Sequence, residues 1–143
     1  MRSTLDRIRH ALAFEIIGLA LLAPLGAWIY GVPMSDMGVV GLVGASVATL
    51  WNYVYNLGFD HAMQRLRGST LKTWRLRVLH AVVFEAGLLA ALLPFIVWYL
   101  QIGLWQAFLM DLGVAGFYLV YAFAFNLAYD RLFPLPQWQG HTG

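Results

Sequence analysis

Four long apolar stretches with few charges alternate with short polar segments along the chain. They run Ile8–Tyr30, Gly38–Phe59, Val78–Leu100 and Gln106–Tyr129, each close to the ~20 residues that carry a helix across ~30 Å of hydrocarbon. Within them the apolar residues are continuous, which predicts helices. A barrel strand facing lipid would be ~10 residues long with alternating polarity. The pattern therefore predicts an all-α membrane protein with four transmembrane helices. Composition agrees, because 61% hydrophobic and 11% charged residues would be out of place in a soluble domain of 143 residues.

Shifted by 70 residues, the chain matches itself. Arg7 falls on Arg77, His10 on His80, Ala11 on Ala81, Phe14 on Phe84 and Glu15 on Glu85. Without a gap, the same shift pairs Pro24 with Pro94, Trp28 with Trp98, Asn56 with Asn126, Leu57 with Leu127 and Asp60 with Asp130. Trp51 faces Tyr121, Tyr55 faces Phe125 and Phe59 faces Tyr129, so aromatic character persists where identity does not. The repeating unit is a helical hairpin: residues 1–67 form the first copy, 68–133 the second, and 134–143 a cytoplasmic tail. Because each copy holds two spans, both enter the membrane in the same orientation, giving two tandem parallel-repeat hairpins. The duplication also argues against a cleaved leader at the N-terminus, since an internal copy of the same segment cannot be one. Pro24 and Pro94 remove a helical hydrogen bond and crowd the carbonyls of Ala20 and Ala90, so a kink or hinge is expected at each.

Net charge is only +2, but the nine Lys and Arg residues are segregated. Arg2, Arg7 and Arg9 precede the first span, Arg65, Arg67, Lys72, Arg75 and Arg77 lie between the second and third, and Arg131 follows the fourth. The connections Gly31–Met37 and Gln101–Trp105 have none. The positive-inside bias thus predicts that both termini and the central connection are cytoplasmic. Anionic lipid is partner enough for this cluster, and nucleic acid is not expected. Trp28, Tyr30, Trp98, Tyr99 and Trp105 mark the outer interface, and Trp74, Phe133 and Trp138 the inner one.

Candidate chemistry follows from the polar residues left inside the spans. Glu15 lies ~9 Å of helix rise beyond Arg9, within the apolar layer. A charge there costs from ~3 to above 10 kcal/mol, so the side chain is expected to face the bundle interior and to carry a proton much of the time. Glu85 repeats it. Asn52, Asn56 and Asp60 recur every four residues and form one stripe on the second helix. From Asp60 inward, Asn56 and Asn52 reach ~6 and ~12 Å, bracketing the depth of Glu15. The fourth helix keeps Asn126 and Asp130 but has Ala122 in place of Asn52, so the first half is the more polar. Trp51, Tyr53, Tyr55, Tyr118 and Tyr121 lie deep enough to stack on a flat ligand or attract a cation. His10 and His80 sit beside Asp60 and Asp130 in depth. Interfacial hydrogen bonding is the simplest role for them, a proton relay the next, and no metal or cofactor is expected. Gly38, Gly41, Gly44, Ala45 and Ala48 suit the second helix to tight contact within one chain or across a homodimer. No phosphate loop, nucleophile–base pair or catalytic domain is present, so an enzyme is not expected.

The string Arg7-x-x-His10-Ala11-x-x-Phe14-Glu15, followed by Trp51-Asn52-x-x-x-Asn56-x-x-Phe59-Asp60 and a second copy of both, resembles the proteobacterial antimicrobial compound efflux family, the bacterial transmembrane pair proteins. The resemblance covers residues 7–131. It implies a bacterial inner-membrane transporter, coupled to proton entry, that exports cationic amphiphiles such as chlorhexidine and acriflavine-type dyes, with short-chain diamines as proposed physiological substrates. The family's essential helix-one glutamate falls on Glu15. The fourth motif is matched in part, by Tyr121, Asn126, Tyr129 and Asp130, with Ala122 where the family has a polar residue. The competing expectation is a non-transporting scaffold or partner subunit. Two buried glutamates weigh against it, because packing alone is served by Ser, Thr or Asn at lower cost.

Overall fold

A computed structural model of the chain describes residues 3–135; Arg2, Trp138 and most of the tail segment lie outside the described residues. Four α-helices follow one another: α1 Thr4–Tyr30, α2 Met34–Arg67, α3 Trp74–Leu100 and α4 Leu104–Leu132. All four are long and apolar enough to cross a membrane, and the protein is a multi-pass membrane protein. Each helix extends past the apolar run that announced it, most of all α2, whose 34 residues rise ~51 Å. The polar turns at its ends suit a helix, since Asp36 in the first turn and Arg65 and Arg67 in the last complement the helix dipole. Leu119, Phe123 and Trp28, each about three-quarters exposed, illustrate a surface that suits lipid.

The helix ends repeat as faithfully as the sequence. Ser3 caps α1, its hydroxyl accepting from the Asp6 N–H at 3.2 Å, and Thr73 caps α3 in the same way through Leu76 at 3.4 Å. α1 closes on Gly31 in the left-handed region (φ 66°), and α3 closes on Gln101 there (φ 53°). Glycine meets that conformation without a Cβ penalty and glutamine does not. In partial compensation, the Gln101 side-chain amide donates to the Trp98 carbonyl at 2.5 Å. Both helices run on through their prolines, Pro24 and Pro94, as continuous α-helix.

Packing divides the chain differently from the repeat. One compact unit contains α1, the start of α2 through Gly38 and α4 from Gly113 onward; the other contains α2 from Val39, all of α3 and the opening turns of α4. The buried positions nevertheless obey the 70-residue shift: Leu22 and Leu92, Gly26 and Ile96, Met37 and Ala107, Val40 and Met110 are all buried. In the first unit the Met37 side chain lies against Gly26, where an added Cβ would fall 2.5 Å from its Cγ. In the second, the larger residue is Ile96 and the smaller Ala107, so the volumes are exchanged within the pair.

This exchange predicts a compensation. Gly26→Ile alone overpacks the site and should cost about 1–3 kcal/mol, read as a lower unfolding midpoint of purified protein. The double variant Gly26→Ile/Met37→Ala, which copies the Ile96 and Ala107 arrangement, should recover most of the loss. Equal instability of both variants would show that the pairs do not compensate.

Candidate functional site

Within the first unit, Phe14, Glu15 and Gly18 of α1 meet an aromatic ladder on α4. The Tyr121 hydroxyl donates to the main-chain carbonyl of Phe14 at 2.7 Å, and its ring stacks near Phe14 at 4.9 Å. Gly18 admits that ring: a Cβ there would approach it to 3.0 Å. Phe117, Tyr118, Phe125 and Tyr129 continue the ladder along α4. Glu15 is half-buried, next in sequence to Phe14, whose ring lies 6.3 Å from that of Tyr118 and 4.9 Å from that of Tyr121. The Tyr118 hydroxyl is buried without a hydrogen-bond partner. An unpaired phenol beside a carboxylate is a donor available to a ligand or to that carboxylate.

Toward the N-terminal end of α1, His10 packs edge-on against Phe125 and Tyr129, at 5.3 and 4.6 Å between centroids, and its Nε2 donates to Asn126 Oδ1 at 2.9 Å. Arg9 pairs with Asp6 at 2.5 Å, donates to the Tyr129 hydroxyl at 3.0 Å and lies 4.0 Å over the Phe133 ring. The Tyr129 hydroxyl donates in turn to Asp6 at 2.7 Å. Asp6, Arg9 and Tyr129 were not singled out from sequence as a group. The signal was the Asp6-x-x-Arg9 spacing, together with the hydroxyl that Tyr129 adds where the first copy has Phe59.

The second unit repeats the plan with other groups. Trp51 Nε1 donates to the Phe84 carbonyl at 3.0 Å, and Gly87 leaves room for the Trp51 ring. Trp51 and Tyr121 are equivalent in the repeat, as are Phe84 and Phe14, so one clasp is built twice. Tyr55 donates to the His80 carbonyl at 2.8 Å, and the His80 ring packs against Tyr55 and Phe59 at 4.8 and 4.5 Å. Asp60 pairs with Lys72 at 3.2 Å, while Lys72 sits 5.1 Å from the Phe59 ring.

Here the copies diverge. Asn56 donates to both the main-chain and side-chain oxygens of Asn52 at 2.7 Å, whereas Asn126, with Ala122 in place of Asn52, bonds His10 instead. His80 Nδ1 is left buried and unpaired. Glu85 is exposed where Glu15 is half-buried, and the position matching Tyr118 is Ala48. Arg7 and Arg77 near the starts of α1 and α3 and Asp130 near the end of α4 are exposed, as is Tyr53. Candidate partners for Glu15 are expected on both even helices; within its own compact unit the aromatic ladder of α4 lies along the same stretch of α1. Spacing along a helix gives depth but not which neighbour lies at that depth. Among the described residues, no three His, Asp or Glu side chains come together as a metal would require.

Sequence reasoning passed over Asp111. It is 5% exposed, and its Oδ2 has no hydrogen-bond partner. An inventory of carboxylates inside the apolar runs would have found it, but the repeat could not, because its counterpart is Gly41.

The family model of chlorhexidine efflux transporters matches residues 2–65 and again 72–135. The chain belongs to this family. A short-chain diamines transporter of Vibrio parahaemolyticus is 37% identical over 90% of this chain and 91% of its own length. Proteins of the same description from Acinetobacter baylyi and Acinetobacter baumannii are each 34% identical, over 88% of this chain and 88% and 86% of theirs. No solved structure matches. The family and these relatives are transporters, not enzymes, and efflux transport replaces the scaffold reading for this member of the family.

In this transporter the clasp is testable apart from transport. Tyr121→Phe removes one hydrogen bond and should lower unfolding stability by ~0.6 kcal/mol, the usual worth of such bonds between membrane helices. Gly87→Ala, which drives a Cβ into the Trp51 ring, should cost about 1–3 kcal/mol. Gly116→Ala, with nothing within 4 Å, should be neutral in the same assay. A Gly87→Ala protein as stable as wild type would mean that Trp51 does not need that space.

Proposed function

We propose that this transporter exchanges protons for organic cations, exporting cationic amphiphiles of the chlorhexidine and acriflavine type and, as the names of its relatives suggest, short-chain diamines. The single observation that carries the reading is Glu15, half-buried in mid-span next to Phe14, against whose ring Tyr118 packs with a buried, unpaired hydroxyl. A carboxyl group that holds either a proton or a cation, but not both, exchanges one for the other when its site opens alternately to each side. The ring faces of Phe14, Tyr118 and Tyr121 suit the flat, cationic part of such a substrate. Tyr118 donates to the carboxylate when the cation leaves. Glu85 takes a supporting part, since no phenol stands at Ala48 beside it. Trp51, Tyr55, Asn52, Asn56 and Asn126 line the path, and Arg7, His10, Asp60, Arg77, His80 and Asp130 form the polar inner rim. Both termini are cytoplasmic in a bacterial inner membrane, as the segregated Arg and Lys residues support, and the small-residue face of α2 serves a homodimer contact.

In cells or vesicles energised by a proton gradient, Glu15→Gln should fold normally and abolish export of chlorhexidine or a diamine, and Glu85→Gln should reduce export without abolishing it. Tyr118→Phe should fall between them, through weaker substrate binding. Wild-type export by Glu15→Gln removes this residue from the centre of the mechanism, and equal loss from both glutamines makes the two repeats one site.

A further inference from the structure

Asp111 is the second turn's carboxylate on α4, seven residues or ~10 Å of rise from Leu104. It is buried to 5% exposure, and one carboxylate oxygen meets no hydrogen-bond donor. The buried residues at this end of its unit, Val40, Gly41, Leu92, Ile96, Ala107 and Met110, offer no side-chain donor. A carboxylate in such surroundings is not stable as a bare anion. It holds a proton or it holds a cation. Other paired aspartates meet a cation or a hydroxyl, Asp60 through Lys72 and Asp6 through Arg9 and Tyr129.

We propose that Asp111 is a second proton- and cation-binding site near the Leu104 end of α4, distinct from Glu15, for one ammonium group of the exported cation. Buried away from water, Asp111 is neutral when it holds the proton and anionic only when a cation lies against it. The reaction at Asp111 is a proton exchange. The O–H bond breaks as the ammonium arrives and the proton leaves to water; on release, a proton from the outer side re-forms that bond and the cation departs. A duplicated chain thereby gains an outer station that the first repeat, with Gly41, does not have. This inference rests on the exchange reading above.

Proton release on ligand binding tests it. Purified wild-type protein in weakly buffered detergent is titrated with 1,4-diaminobutane, with protons read by a pH indicator and binding by tryptophan fluorescence. Asp111→Asn, which mimics the protonated acid in size and charge, should still fold and bind, but release should fall to about half as one of two proton sites is lost. Asp111→Glu should restore it. Full release by Asp111→Asn overturns the proposal. So does an Asp111→Asn protein that fails to fold while Asp111→Glu folds, because the charge would then be structural. A wild-type protein that binds the diamine and releases no proton sinks the exchange reading itself. Full wild-type release with loss confined to Glu15→Gln sinks only the second site.

Discussion

One contact sets the geometry of both helix pairs: a ring N–H or O–H of an even helix donates to a main-chain carbonyl of an odd one. In hydrocarbon such a donor has no water to fall back on, and a carbonyl keeps a second lone pair after its helical bond. Trp51 on Phe84 and Tyr121 on Phe14 therefore fix rotation and register together. The residue after each clasped carbonyl is the glutamate, about 100° further round the helix. Glu15 and Glu85 are placed at the flank of a bonded aromatic contact by this alone. The glycines at 18 and 87 exist in the same service, since each gives a ring the room to reach its carbonyl.

With the framework held in common, the two copies differ in what surrounds the clasp. Tyr118 stands beside Glu15 and Ala48 at the matching place, and Asn126 reaches His10 while Asn56 is occupied by Asn52. One substitution, Asn52 against Ala122, accounts for the second difference: removing a neighbouring acceptor frees the next asparagine to turn to a histidine. At the inner ends a cation sits on the same ring position in both copies, Arg9 near Tyr129 and Lys72 near Phe59. The cations come from unrelated places in sequence, which suggests that the ring position rather than the cation is the inherited feature.

Much of this was legible in the sequence because hydrophobic length and a gapless repeat are strong signals. The four spans, the two hairpins, and the equivalence of Glu15 with Glu85 or Trp51 with Tyr121 follow from them. Which helix lies beside which does not, because a repeat gives equivalent positions and not neighbours. Depth counted along a helix placed Asn52 level with Glu15 without saying which side chains surround it, and within the Glu15 unit the clasp on Phe14 comes from Tyr121 of α4. Asp111 was missed for a related reason. A search led by symmetry finds what both copies share, and Asp111 matters where they differ.

The exchanged volumes at Gly26 with Met37 and at Ile96 with Ala107 bear on how such a gene can change. Recombination between its two halves is an obvious route of homogenisation. A crossover that carries both members of a pair transfers a working core, whereas one falling in the short turn between them joins two large side chains or two small ones, leaving a clash or a hole. Selection would then remove crossovers in the outer turns and tolerate those in the central connection. The hairpin, rather than the single helix, is thus the unit in which this chain can inherit.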